Sequence, residues 1–305
     1  MHAPARLDLT ARDTAILAMV FAYGGVGIAH IQARFWPTAG ARSACYARVA
    51  RLVEASYLGA QRLPAASGVG SGPLFLTVGA KARPDLARLW SCSAAALQRT
   101  TRMHVPQQLA HHLATCNLRL ALELAVAASA LVTAQEWTSE WELRRTPVKV
   151  NDPQTGGSII LVPDGAFTLT LADGSEQAFL VEMDMASMTE FRRMRARLRG
   201  YLVAARERAL PILFVTTTRT RAATLARLAR EEAARLGADA TIFWLAQQDA
   251  VTQETVLARP IWQVVGGPEM HTLLPTAAQP AACTPSAPAR AREGGRRDHA
   301  LAELR

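Results

Sequence analysis

Three carboxylates in the middle of the chain are spaced as a cation site would need them. Asp164 follows Pro163, and Glu182 and Asp184 stand two residues apart in the run Phe179-Leu-Val-Glu182-Met-Asp184. On a strand, residues i and i+2 point to one face, so Glu182 and Asp184 would face together. Asp173-Gly174 is a hairpin turn signal between the apolar, β-prone segments 167–171 and 177–183, which would set Asp164 beside Glu182 on adjacent strands. Carboxylates gathered on one sheet edge are costly unless they bind a cation or find donors. Mg2+ and Mn2+ suit such oxygen ligands, and one or two of these ions can activate water against a phosphodiester. Asp164, Glu182 and Asp184 are therefore candidate metal ligands and catalytic residues, with Glu140 or Glu142 as an additional ligand from upstream. Tyr201 offers a different chemistry, that of a covalent nucleophile. Such a tyrosine needs an activating base or a metal held by histidines, and the nearest histidine in sequence is His271. The alternative for Tyr201 is a core position on a helix.

The elements that must hold these groups follow from pattern. Residues 159–162, 167–171 and 177–183 read as strands. A basic helix over 188–208 carries Arg192, Arg193, Arg195, Arg197 and Arg199, with Met194, Leu198, Tyr201 and Leu202 on its apolar side. Residues 212–215 are a short buried strand, 220–236 a helix of alternating Arg and Glu, and 241–245 another strand. That order predicts a mixed sheet flanked by helices, an α/β sandwich. Upstream, an apolar pattern predicts a long helix over 107–133 with His111 and His112 at its start. Adjacent histidines on a helix point in different directions, which predicts one packed and one solvated side chain instead of a metal pair. The stretch 136–150 holds Glu136, Glu140 and Glu142 beside Trp137 and Trp141.

The N-terminal third differs in charge and pattern. The chain of 305 residues carries a net charge of +9, and residues 1–105 hold twelve basic against four acidic side chains, so +8 of it lies there. An arginine-rich composition with only Lys81 and Lys149 explains the choice of Arg over Lys but not this asymmetry. A basic module on a near-neutral body is the electrostatic pattern of nucleic-acid binding. Thr10-Ala-Arg-Asp13 is a capping box, followed by a helix with Ile16, Leu17, Val20 and Phe21 inward. Tyr23-Gly24-Gly25 breaks it, a second helix covers 27–35, Pro37 to Gly40 is a turn, and a third helix covers 41–55. Three short helices with a tight turn before a basic third one predict a helix-turn-helix. Two short apolar runs, Tyr57-Leu58 and 74–78, flank a Gly/Ser/Pro-rich excursion and read as a β-wing. Arg42, Ser43, Tyr46, Arg48 and Arg51 would enter or flank the major groove, and Arg62 would reach a phosphate or the minor groove. The expected partner is double-stranded DNA; the alternative is a winged helix used for protein contacts.

The length accommodates two domains and a tail: a winged helix over 1–80, a helical connector over 81–106 with a helix at 85–97, an α/β domain over 107–273 and a disordered Ala/Pro/Arg-rich tail over 274–305. Cys45, Cys92, Cys116 and Cys283 form no CxxC pair, which argues against structural zinc and for a reducing cytoplasm. The start is polar and unlike a signal peptide, and the most apolar later run, 118–132, carries Arg119 and Glu123 and is too short to span a bilayer. No membrane partner is expected.

The Pro-Asp…Glu-x-Asp layout resembles the PD-(D/E)xK nuclease fold. With the winged helix, His112-Leu113, Pro163-Asp164, the Glu182-Met-Asp184 run and a basic helix closing on Tyr201, the chain resembles the replication-relaxation family of plasmid and mobile-element proteins over residues 8 to 245. The resemblance implies a role in replication, relaxation or maintenance of a mobile replicon, with DNA and replication or mobilisation proteins as partners and a nuclease-like second domain. Two departures matter. Asp184 stands where an active nuclease of this fold has lysine, and no lysine follows Lys149. Before Tyr201 the family helix has a lysine, where this chain has Arg197 and Arg199. Arginine keeps the charge but is a poor general base because it stays protonated. Three readings follow: a DNA-binding protein with a degenerate nuclease-like domain, an active nuclease using Mg2+ or Mn2+, and a regulator or interaction module whose carboxylates pair with the arginines of the next helix. Winged-helix proteins often bind as homodimers, but no heptad marks a dimer helix.

Overall fold

Thr10 opens the first helix, α1 (Ala11–Tyr23), with a reciprocal cap. Its hydroxyl accepts from the Asp13 amide at 3.3 Å while Asp13 Oδ2 accepts from the Thr10 amide at 2.7 Å. Gly24, in the left-handed region at φ +74°, ends the helix and its amide returns to the Phe21 carbonyl. The computed structural model describes residues 7–63, 72–90, 106–186 and 191–274. These fall into two compact units, one up to Cys116 and one from Asn117 on.

In the first unit, β1 (Val26–Gly27) leads into α2 (Ile28–Phe35), a 3-10 turn at Ala39–Ala41, α3 (Arg42–Glu54), β2 (Leu58–Arg62) and β3 (Leu74–Val78). The strands form an antiparallel sheet in the order β1-β3-β2. Ile16, Val20, Ile31, Cys45, Val49, Leu52, Leu58, Phe75 and Leu76 are its buried core. Gly25 is required by two independent constraints. Its φ of +116° is open only to glycine at low cost, and a Cβ there would lie 2.4 Å from the Phe75 ring. The expected connector helix is present as α4 (Arg83–Trp90), and its predicted continuation to 97 lies outside the described residues. So do most of the wing excursion and the tail after Leu274.

The predicted helix over 107–133 is shorter than its apolar pattern. It ends as α5 (Pro106–Ala127), and residues 132–139, read above as the helix end and an unassigned stretch, form a strand, β4 (Val132–Ser139). Val132, Thr133, Trp137 and Thr138 are β-formers, and tertiary pairing overrides the run of helical spacing that precedes them. β4 is the edge of a seven-stranded sheet ordered β12-β11-β10-β9-β8-β7-β4. Its remaining strands are β7 (Gly165–Leu171), β8 (Glu176–Asp184), β9 (Ile212–Thr216), β10 (Phe243–Gln247), β11 (Trp262–Val264) and β12 (Met270–His271). β8, β9 and β10 are parallel and the others pair antiparallel, so the sheet is mixed, as the element order predicted. α6 (Glu140–Leu143) is a single turn after β4.

The helices α7 (Phe191–Ala204) and α8 (Arg219–Leu236) are the crossovers of the parallel strands, and both pack on one face of the sheet. Met194, Leu198, Tyr201 and Leu202 of α7 and Leu225, Leu228 and Ala229 of α8 bury against Ile212, Phe214, Phe243 and Leu245. Trp137, Phe167 and Phe179, on the successive strands β4, β7 and β8, and Trp244, beyond β9 on β10, line the opposite face with successive rings 5.0–6.4 Å apart. The segment 159–162 is a strand as predicted but not of the main sheet. β6 (Ser158–Leu161) pairs with β5 (Val148–Asn151) in a separate ribbon. The ribbon lies close on α7 at Gly200, where a Cβ would come within 2.8 Å of Ile159 and 2.9 Å of Leu161. The whole is a mixed α and β architecture.

Candidate functional site

The strand period places Glu182 and Asp184 on the face of β8 that meets α7 and α8. Both are buried, at 3% and 7% exposure. A buried carboxylate without donors would be severely destabilising, and each has an arginine. Arg197 donates from Nε to Glu182 Oε1 at 2.9 Å and lies 2.6 Å from Oε2 through Nη2. Tyr201, one helical turn on from Arg197, donates its hydroxyl to the same Oε1. Arg221, near the start of α8, grips Asp184 with Nε at 2.5 Å and Nη2 at 3.0 Å. Asp164 lies one residue before β7; its amide donates to Val181 O and its Oδ2 accepts from the Met183 amide at 2.7 Å. The hairpin therefore brings Asp164 beside Glu182, as its turn chemistry predicted. Arg197 also donates to the Val162 carbonyl at 3.0 Å, tying the Pro163-Asp164 approach to α7.

Charge in this site is set by burial as much as by pairing. Burial pushes the Glu182 carboxyl up to about 8, with the Arg197 cation opposing and the Asp164 charge adding to the rise. Burial raises the Tyr201 hydroxyl as well, and the neighbouring Glu182 charge adds to it. Arg197 is held protonated by Glu182 despite its burial. Tyr201 is 2% exposed and engaged with Glu182, inside the core of α7. The donor set does not fit a divalent ion as arranged: guanidinium groups hold both oxygens of Glu182 and both of Asp184. Among the described residues no group of three or more His, Cys, Asp or Glu side chains is placed to hold a metal. Glu142 closes a capping box on Ser139, accepting from its amide and hydroxyl, and Glu140 pairs with Arg144 at 2.5 Å.

A second polar cluster had no sequence signal at all. Arg199 reaches from α7 to Asp152 at the end of the β5–β6 ribbon through two bonds of 3.0 and 2.8 Å, and to Glu232 of α8 at 3.2 Å. Glu232 is fully buried and also accepts from Arg195 and Arg235. The Arg199 guanidinium holds the Asp152 carboxyl well below the usual carboxylate range. Partners 47 and 33 residues apart cannot be read from spacing.

In the first unit, Arg42, Ser43, Tyr46 and Arg51 of α3 are exposed, while Cys45, Val49 and Leu52 face inward. The Arg42 guanidinium sits 5.3 Å over the Tyr46 ring, and exposed Arg62 ends β2. Arg48 behaves differently. It donates from Nε to Asp13 Oδ1 at 2.8 Å and from Nη2 to Asp8 O at 3.0 Å and to Asp13 Oδ2. Asp13 is fully buried, so this arginine ties α3 to the capping box of α1 instead of facing outward with its neighbours. Of the two histidines at the start of α5, His112 donates from Nε2 to the Gly25 carbonyl at 2.9 Å and meets the Phe75 ring edge-on at 5.8 Å. His111 is half-buried too, so neither is simply solvated.

No helix among the described residues is long and apolar enough to cross a membrane. No curated protein and no solved structure matches the chain. A family model described as replication-relaxation does match, over residues 17–211. That span starts within α1, takes in α3, Asp164, Glu182, Asp184 and Tyr201, and stops just before β9, covering more than half of the chain. The chain therefore belongs to the replication-relaxation family.

Proposed function

We propose that the protein binds double-stranded DNA in the replication, relaxation or maintenance of a plasmid or mobile element, through a winged helix joined to a PD-(D/E)xK-like domain that no longer cleaves. The reading of the second domain rests on one observation: Arg197 and Arg221 occupy both oxygens of Glu182 and of Asp184. A metal would have to displace both guanidinium groups, and no lysine follows Lys149 to orient water or stabilise phosphate charge. The exposed face of α3 supports the DNA partner. Arg42, Ser43, Tyr46 and Arg51 are exposed on it and would enter the major groove, with exposed Arg62 reaching a phosphate, while Arg48 ties α3 to α1.

Supercoiled plasmid incubated with the protein and Mn2+ tests this, beside Asp164→Ala and Glu182→Ala variants. The expected result is no nicking by any form, with duplex DNA still retarded in a gel and retardation weakened by Arg42→Ala. Nicking by the wild type that both carboxylate variants lose would replace this reading with that of an active nuclease.

A further inference from the structure

A second candidate site lies in the second unit, lined by none of the carboxylates and arginines described above. The parallel strands β9 and β10 end at Thr216 and Gln247, and residues that follow them, Thr217, Gln248, Asp249 and Val251 to Gln253, face the α5 stripe Asn117, Leu120, Ala121 and Leu124. Between them is a shallow cleft, widely open to solvent, of about 560 Å³. Its place is the one where open α/β sheets bind ligands, outside the carboxyl ends of parallel strands. Its lining is chemically divided. Leu120, Ala121, Leu124 and Val251 supply apolar surface, and Asn117, Gln248, Asp249 and Gln253 supply amide and carboxylate groups. Among the described residues none of these four polar side chains takes part in a hydrogen bond within the fold, so their donors and acceptors remain available to a ligand. Among the described residues no lysine or arginine lines the cleft, and Asp249 is acidic, so the lining offers a phosphate no cationic partner.

We infer that this cleft binds an unpaired nucleobase carrying an exocyclic amino group. A base has two apolar faces, which fit against the leucine and valine surface, and an edge of alternating donors and acceptors, which amides and a carboxylate can read. Asp249 accepts and does not donate. Thymine's one donor, N3–H, is flanked by two carbonyl oxygens that a carboxylate repels, so Asp249 favours the exocyclic amino groups of guanine, cytosine and adenine. The sugar and any phosphate point to solvent. The same chemistry is offered by a free nucleoside and by a base in a single strand. Its lining residues all belong to the second unit, whereas α3 belongs to the first.

Saturation-transfer NMR and calorimetry on the full chain, with deoxyguanosine, deoxycytidine and thymidine as probes, test the inference. The amino-bearing nucleosides are expected to bind and to show transfer to base protons, with thymidine at least tenfold weaker. Asp249→Asn, a change at an exposed position, is expected to weaken deoxyguanosine roughly tenfold, the loss of one charged hydrogen-bond acceptor. Leu124→Trp, which fills the cleft, is expected to abolish binding, and Arg42→Ala to leave it unchanged. Absence of binding by all three nucleosides would overturn the inference, and so would equal binding of thymidine that Asp249→Asn does not alter. A short single-stranded oligodeoxycytidine that competes with deoxycytidine assigns the base to a strand; failure to compete assigns it to the free nucleoside.

Discussion

Both oxygens of Glu182 are engaged, by Arg197 and Tyr201, and burial still disfavours its charge. Folding therefore takes up a proton at this residue over the interval between the ordinary carboxyl value of 4.5 and about 8. The stability this contributes is complete below 4.5 and is lost as the pH rises through about 8. Glu182→Gln imitates the protonated form and lacks that dependence. Thermal melts of the two proteins are expected to coincide at the acid end of the interval and to diverge in favour of the variant towards its alkaline end. A difference in melting temperature that stays constant across the interval would show that the carboxyl does not titrate there. Arg48 carries a second lesson at this scale. An arginine on a recognition helix can serve the helix and not the DNA: with Asp13 buried behind it, its loss would leave an unpaired buried charge.

Among the elements, the turn between α1 and β1 is constrained at one residue, Gly25. Gly25 combines a positive φ, a Cβ position 2.4 Å from the Phe75 ring and a carbonyl held by His112. Gly25→Ala is expected to destabilise the first unit by about 3 kcal/mol or more, the sum of left-handed strain and an overpacked core. Denaturant unfolding checks this, and a loss under about 1 kcal/mol, the strain alone, would mean that the Phe75 ring moves aside. The crossovers α7 and α8 are held differently, by arginines. Arg195, Arg197, Arg199 and Arg221 each join a helix to a carboxylate on another element. The basic character of α7 thus has a structural use, since three of its arginines neutralise buried acids.

For the whole molecule, the net charge of +9 is concentrated in the first third. If that third carries the DNA contact, affinity for duplex must fall steeply with salt, because phosphates neutralised by arginines release counterions. With Arg42, Arg51 and Arg62 as the exposed cations of the proposed face, the slope of log affinity against log salt is expected to be about −3. It should become shallower by roughly one for each of these arginines changed to Ala. An unaltered slope in the triple variant would move the DNA contact elsewhere.

What the chain states locally was legible in it. The capping box of α1, the Asp173-Gly174 hairpin, the shared face of Glu182 and Asp184 and the buried stripe containing Tyr201 all rest on periods and turn chemistry within a few residues, and backbone geometry enforces those wherever the segment lies. The strand β4 was not legible, because an edge strand following a leucine-rich helix is defined by its pairing with β7 and not by its own alternation. Nor was the state of the carboxylates. Glu182 and Asp184 read equally well as metal ligands and as ion-pair partners. Packing of α7 and α8 on the sheet sets Arg197 against the first and Arg221, 37 residues downstream, against the second. Arg48 and Asp13 met in the same way, across 35 residues. Spacing along the chain determines which face a side chain occupies; only the docking of one element on another determines what it meets there, because that contact depends on the crossing of helices and strands that share no local sequence.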